Sequence, residues 1–427
     1  MRLIQFNLRI FSFVFLFILG CQTTIYSQKD YAKRILDTLC SPRYDGRGYV
    51  NNGDIHASEF LREELMRLGV VPMKRQTFFQ DYDLGGVNTF PYDIEVVLDN
   101  DTLVPGANYL VHPYSGTIQG EFDIVEVNSA NWYTQFNETL DWKLSEREHK
   151  IYLLNFTDVA DNKKRGEIKE IAYKAMNYFP CIWIAKNKQM FSVGRGEMPY
   201  PLVMIDSADY HGGSKAKLKI NNKFIPDYMS RNVIGMIPGK QKKKYIVFSA
   251  HYDHLGRMGS AYFPGANDNA SGCSMLLSLA KYYMENPAEY SIVFCFFSGE
   301  EAGLEGSKFF VEHPFFKLKQ VKFVLNVDIM GGASDGITVV NATKHPEEYE
   351  RMVKINEEMG LIKQVKKRGP THNSDHYYFS EKGVPAFFIY SMGTVRNYHD
   401  VYDTAENTPL DKFDEVQELL IKFVKTL

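Results

Sequence analysis

Cysteine is scarce in this sequence and poorly placed for chemistry. Among Cys21, Cys40, Cys181, Cys273 and Cys295, no two form a CxxC pair or a compact spacing, which argues against a thiolate metal knuckle and a disulfide framework. Cys273 and Cys295 fall inside a predicted helix and strand, where cysteine serves as a small buried apolar residue. An excess of one charge is also lacking. Lys and Arg total 49 against 52 for Asp and Glu, a net charge of −3, so the overall field gives no reason to bind nucleic acid or anionic lipid. The one basic run, Lys240 to Lys244, reads as a solvated turn between two strands. There is no internal repeat and no low-complexity tract, and 44% hydrophobic with 24% charged residues is the balance of a soluble globular chain.

The N-terminus departs from that average. Arg2 and Arg9 precede the apolar run Ile10 to Leu19, too short to span a bilayer as a mature helix and suited to a signal peptide. Export to the periplasm, the outer membrane or the medium is therefore expected. Ile18-Leu19-Gly20-Cys21 resembles a bacterial lipobox, while Ile25-Tyr26-Ser27 before Gln28 offers an ordinary cleavage site. The lipobox is the preferred reading, and a lipid on Cys21 would be the only membrane contact. Asn137-Glu138-Thr139 matches a glycosylation sequon that a bacterial leader makes irrelevant.

At 427 residues the chain exceeds one ordinary domain. After residues 1–27, two amphipathic helices open the fold: Tyr31, Ile35, Leu36 and Leu39 mark the first. In the second, Asp54 is placed to cap, Ile55, Phe60, Leu61, Leu65 and Leu68 form the apolar face, and Gly69 sits where a left-handed residue closes a helix. The stretch SPRYDGRG, Ser41 to Gly48, separates them. From Leu84 to Asp227 the texture is short β-like runs around a helix near Lys164 to Tyr178, which predicts a β-rich insertion at 84–227 between 28–83 and 228–427. In the last two hundred residues strands and helices alternate. That pattern predicts an α/β fold with a mixed, mostly parallel sheet flanked by helices.

Ligands in such sheets bind beyond the carboxyl ends of the strands. The predicted strand Tyr245 to Ala250 leads to His251 and Asp253; Ser291 to Phe297 leads to Glu300 and Glu301; Lys322 to Val327 leads to Asp328; Val384 to Tyr390 leads to His399. Asp268 lies in GANDNASG, just before a helix. Each residue alone has an ordinary explanation as a cap, turn or surface group; together they bring two imidazoles and four carboxylates, besides Asp253, to one sheet edge. Two divalent cations carry +4, and Asp268, Glu301 and Asp328 with a hydroxide carry −4. A single zinc needs three protein ligands and would leave two of five unused. Mixed His and carboxylate donors suit zinc, with cobalt or manganese chemically acceptable.

The motifs HYDHLG (His251 to Gly256), GANDNASG, FSGEEAGLEGS (Phe297 to Ser307), VDIMG and NYHDVYDT (Asn397 to Thr404) resemble, in order, those of the M28 family of zinc aminopeptidases. The resemblance implies that Asp268 bridges two Zn2+ ions, that His251 and Asp328 complete one site and Glu301 and His399 the other, and that Glu300 is the general base. Asp253 would take the second N–H of His251 and fix its tautomer. Where some relatives have an acidic residue after the bridging Asp, this chain has Asn269. Where some have a tyrosine before the Ser374-Asp375 pair, it has Thr371, leaving His372 as the substitute that polarises the carbonyl. The resemblance extends weakly to the insertion, which falls where relatives carry a protease-associated-like domain and could act as a lid. The implied substrate is a peptide cut at its amino terminus. A glutamate-releasing carboxypeptidase, a glutaminyl cyclase and a non-catalytic binding protein are the competing readings of the same fold.

Overall fold

The computed structural model describes residues 28–73, 76–131 and 149–427; the leader and its lipobox, and the sequon at Asn137, lie outside them. Among the described residues, one sheet has nine strands. Its centre is four parallel strands in the spatial order Tyr290–Phe297, Gln241–His251, Val321–Val327 and Ala386–Met392. Antiparallel neighbours close it: Lys223–Ile237 lies beside Tyr290–Phe297, and Gly336–Val340 beside Ala386–Met392.

Alternation along each central strand sends side chains to opposite faces. Ile246, Phe248, Ile292, Phe294, Phe323 and Leu325 pack in one core with the helices Gln28–Leu39, Gly53–Leu68, Ser271–Glu285, Pro346–Met359 and Phe413–Val424. Val247, Val293, Cys295, Phe297 and Val324 face the other way, against Phe310 and Val311 of Glu305–Glu312 and Phe379 of His376–Glu381. Helices therefore cover both faces, as parallel strands require. Burial of each such phenylalanine contributes about 1.5–3 kcal/mol, and the central strands are buried along residues 245–251, 291–297, 323–327 and 386–389.

A second sheet, of eight strands among the described residues, draws its strands from between Glu95 and Ile220. Four of them, Ile118–Asn128, Lys150–Asn155, Cys181–Ala185 and Leu202–Asp206, run parallel. The helix Asn162–Ala175, capped by Asp161, packs on them through Ala172, Ala175 and Met176. The core of this sheet also takes in Leu255, Met258, Ala261 and Phe263, which belong to the segment between His251 and Asp268.

Several local expectations differ from the structure. Asp54 does not cap the second helix. It is buried in the first turn, accepting from the hydroxyls of Tyr228 and Ser230, the latter at 2.6 Å. Gly69 does close that helix, at φ +85°. The basic run is strand as well as turn, because Gln241 already pairs with Tyr290. The strand expected from Asn232 begins at Lys223 and pairs with Phe79–Thr89 across a register shift around Pro226 and Asp227, where proline's missing N–H interrupts the ladder. Both strands of that pair cross the boundaries expected at 84 and 227.

Candidate metal centre

His251 is the last residue of its strand, opposite Phe297 in the parallel register, and is 1% exposed. Its Nε2 lies 3.2 Å from Asp268 Oδ1 and 3.3 Å from Asp328 Oδ1. On the far side of Asp268, Oδ2 lies 3.2 Å from His399 Nε2, which is also 3.1 Å from Glu301 Oε2. One carboxylate thus presents its two oxygens to two imidazoles, each flanked by a further carboxylate. Donor atoms of His251, Asp268 and Glu301, and of His251, Glu300 and Asp328, come within 4.8 Å of one another. Two neutral imidazoles and three carboxylates around a shared Asp fit a pair of divalent cations of the zinc type.

The crowding shows in the protonation equilibria. Burial alone would lower the imidazole of His251, but Asp328 and Glu300 beside it raise it well above its ordinary value. The Glu300 carboxyl is raised well above its usual range by burial and by Glu301, Asp328 and Asp375, with His251 opposing. Glu301 is lowered to about 2: burial resists, and His399 and His254 outweigh it.

The loop before Ser271–Glu285 is held from several sides. Asp403 accepts from the backbone N–H groups of Asn267 and Asp268 at 2.8 and 3.0 Å. Asn269 accepts from Gly272 N–H at 2.9 Å and from Ile329 N–H at 3.2 Å, so the amide that replaces an acid in this chain ties the helix start to the segment carrying Asp328. Arg47, 0% exposed, donates to the carbonyls of Tyr252, Pro264 and Gly265 at 2.8, 2.6 and 2.6 Å. Gly265 has φ +57°, and a Cβ there would lie 2.3 Å from His254 Cδ2.

The other candidates are placed as follows. The Asp253 carboxylate is 3.7 Å from His251 Nδ1, whereas the Asp253 carbonyl oxygen is 3.1 Å away and accepts instead. The carboxylate takes the Tyr49 hydroxyl at 2.6 Å and the N–H groups of Glu300 and Glu301 at 3.3 Å, bracing the turn that carries the paired acids. His372 is exposed and stacks on Tyr377 at 3.6 Å; its ring also meets Tyr378, edge-on at 6.1 Å. Tyr398, stacked on His399 at 4.0 Å, was not singled out from sequence. Tyr398 is 40% exposed; burial of the rest of its ring and then Asp268, Glu301, Asp328 and Glu300 raise its phenol. His254 was also missed; its Nδ1 meets Glu301 Oε1 at 2.7 Å. Both lie inside quoted motifs, but no ligand spacing marks them. The hydroxyl of Ser374 donates to Asp328 at 3.0 Å and accepts from Asn326 at 2.8 Å.

The fold is an α/β sheet with helices on both faces and a buried His and carboxylate cluster beyond its parallel strands. Residues 232–424 match the model of peptidase family M28. It is similar to aminopeptidase YwaD of Bacillus subtilis, 29% identical over 294 residues, which cover 65% of this chain and 62% of that one. It is also similar to a vacuolar membrane protease of Kluyveromyces lactis, 30% identical over 185 residues, 42% of this chain and 20% of that one. The chain thus spans less than two thirds of these relatives. In fold it resembles the solved BSAP, a zinc aminopeptidase from Bacillus subtilis (TM-score 0.67, 17% identity, 94% of this chain and 95% of that one). A peptidase M28 precursor from Shewanella amazonensis is similar too (TM-score 0.62, 15% identity, 94% and 97%).

Proposed function

We propose that this chain is a two-zinc aminopeptidase that hydrolyses the first peptide bond of peptides with a free amino terminus. The observation that carries the reading is Asp268, whose two oxygens face His251 and His399 on opposite sides. His251 and Asp328 would hold one ion with Asp268, and Glu301 and His399 the other. A bound zinc pair supplies Lewis acidity and a water acidified toward neutral pH.

Glu300 is not needed to complete either set, and its carboxyl, which burial holds above its usual range, has the added basicity to take a proton from an attacking water. It accepts the proton of the attacking water and returns it to the leaving amine. Tyr398, whose ring stacks on that of His399 at 4.0 Å, donates toward the carbonyl oxygen as charge develops there; this takes the part expected of His372. Asp253 and Tyr49 hold the Glu300 turn in place, and buried walls around the cluster keep the carboxylates from being screened by solvent.

The test is hydrolysis of paired peptides by the zinc-loaded protein. Peptides blocked at the carboxyl end should lose residues from the amino end, and the same peptides acetylated at the amino end should survive. Cleavage of the acetylated set with release of carboxyl-terminal residues would overturn the proposal in favour of a carboxypeptidase.

A further inference from the structure

The residues expected at one ion, Glu301 and His399, sit on two loops far apart in sequence, and both loops are gripped by the same segment of the second sheet's unit, residues 188–195. His399 Nδ1 lies 3.1 Å from the carbonyl oxygen of Phe191, and Phe191 N–H donates to the carbonyl of His399 at 3.1 Å. With a cation bound, that acceptor would hold the proton on Nδ1 and leave Nε2, which lies beside Asp268 and Glu301, free as the ligand nitrogen. Lys188 forms an ion pair with the buried Asp400, which itself accepts from Tyr402 N–H at 2.7 Å and Tyr398 N–H at 3.3 Å. The Phe191 ring is buried against Phe263 at 4.7 Å and 12°. Four residues on, Arg195 donates to the Ala302 carbonyl at 2.6 Å, directly after Glu301, and to the Gly86 carbonyl at 3.1 Å.

We propose that residues 188–195 are a positioning element of the metal centre, fixing the tautomer and direction of His399 through the Phe191 carbonyl and holding the Glu301 loop through Arg195. This rests on the two-zinc reading and adds to it a division between the two ions. The His251 and Asp328 side is built from the large sheet, whereas the Glu301 and His399 side needs the second unit docked. The unit is then part of the site's frame, since it could not swing away as a lid without releasing His399.

The experiment is zinc release from the fully loaded protein into a chromogenic chelator, for wild type, Lys188→Met and Arg195→Met. Lys188 is 56% exposed, so its replacement leaves the core untouched, and circular dichroism confirms the fold of each variant. Loss of an outer hydrogen-bonding partner weakens metal binding by about 10- to 100-fold. In both variants one of the two ions should leave at least about tenfold faster, while the other keeps its wild-type rate. Equal release of both ions in wild type and variants would overturn the positioning role and leave the two-zinc reading standing. Equal acceleration of both ions would also overturn it, since that is the mark of general loosening. A wild type that retains no zinc would remove the reading on which the inference rests.

Discussion

Replacing Arg47 should damage this protein more than any exposed charge could. Its guanidinium is fully buried and donates to the carbonyls of Tyr252, Pro264 and Gly265, with longer contacts to Leu39 at 3.2 Å and Asp268 at 3.4 Å. Methionine fills similar volume but offers no donor, which leaves the Tyr252 and Pro264 carbonyls without their partner at about 1–3 kcal/mol each, while the Gly265 carbonyl keeps Ala270 N–H at 3.2 Å. Partial relaxation brings the expected loss to roughly 4 kcal/mol, within the range of broken buried networks. At roughly 2–4 °C per kcal/mol for a unit of 150–250 residues, the thermal midpoint of Arg47→Met should fall by about 10 °C. Arg47→Lys keeps the charge but has three donors on a point-like head in place of a planar fork, so about half of that loss is expected. Melting followed by circular dichroism on the zinc-loaded proteins reads both values. An Arg47→Met midpoint within about 2 °C of wild type would refute the claim that this side chain clamps the Asp268 loop.

Glu300→Gln should bind two zinc ions and lose about 10²–10⁴-fold in kcat on an amino acid anilide, the usual share of a general base; turnover at the wild-type rate removes Glu300 from the mechanism. Tyr398→Phe should retain zinc and lower kcat with little change in KM, because its donor acts as charge develops; an unchanged kcat rejects that role. Gly265→Ala meets both a left-handed backbone and His254 Cδ2 at 2.3 Å, so zinc content after dialysis should drop with stability, and an unperturbed variant would show that the loop yields freely. His112 in the second unit is lowered from 6.5 to about 4 by burial and by Lys169, with its Nδ1 accepting from Tyr114 N–H at 3.3 Å. Its contribution is fully present above pH 6.5 and is lost as pH falls toward 4, by about 3 kcal/mol; His376 is lowered to about 4 by burial as well, so urea midpoints across that range should fall in both proteins but by less in His112→Asn.

The central strands were readable because burial on both faces leaves uninterrupted apolar runs such as YIVFSA and SIVFCFF, and each run ends abruptly at a polar donor. His251 and Asp328 announce themselves that way and Glu301 follows a few residues on, whereas Asp268 and His399 were read from the motifs GANDNASG and NYHDVYDT. What surrounds them does not. Lys223–Ile237 begins with exposed and polar residues and a proline, so its first half has no strand signal. Arg47, Asp403 and the Phe191 carbonyl act on backbone groups or on residues as much as 221 positions away, and backbone acceptors have no residue type to read. His372 was expected at the site by elimination from its neighbours in sequence, but its ring stacks on Tyr377 at the surface. Asp253 was expected to reach the ring two residues back with its side chain; its own carbonyl is nearer, and its carboxylate is drawn to Tyr49 and the Glu300 turn instead.

The account depends on two ions sharing one carboxylate, and anomalous diffraction at the zinc edge from crystals of the zinc-loaded protein tests that directly. Two peaks are predicted, one between His251 and Asp328 and one between Glu301 and His399, each against a different oxygen of Asp268. A single peak, or two peaks with Asp268 bound to only one of them, would contradict it.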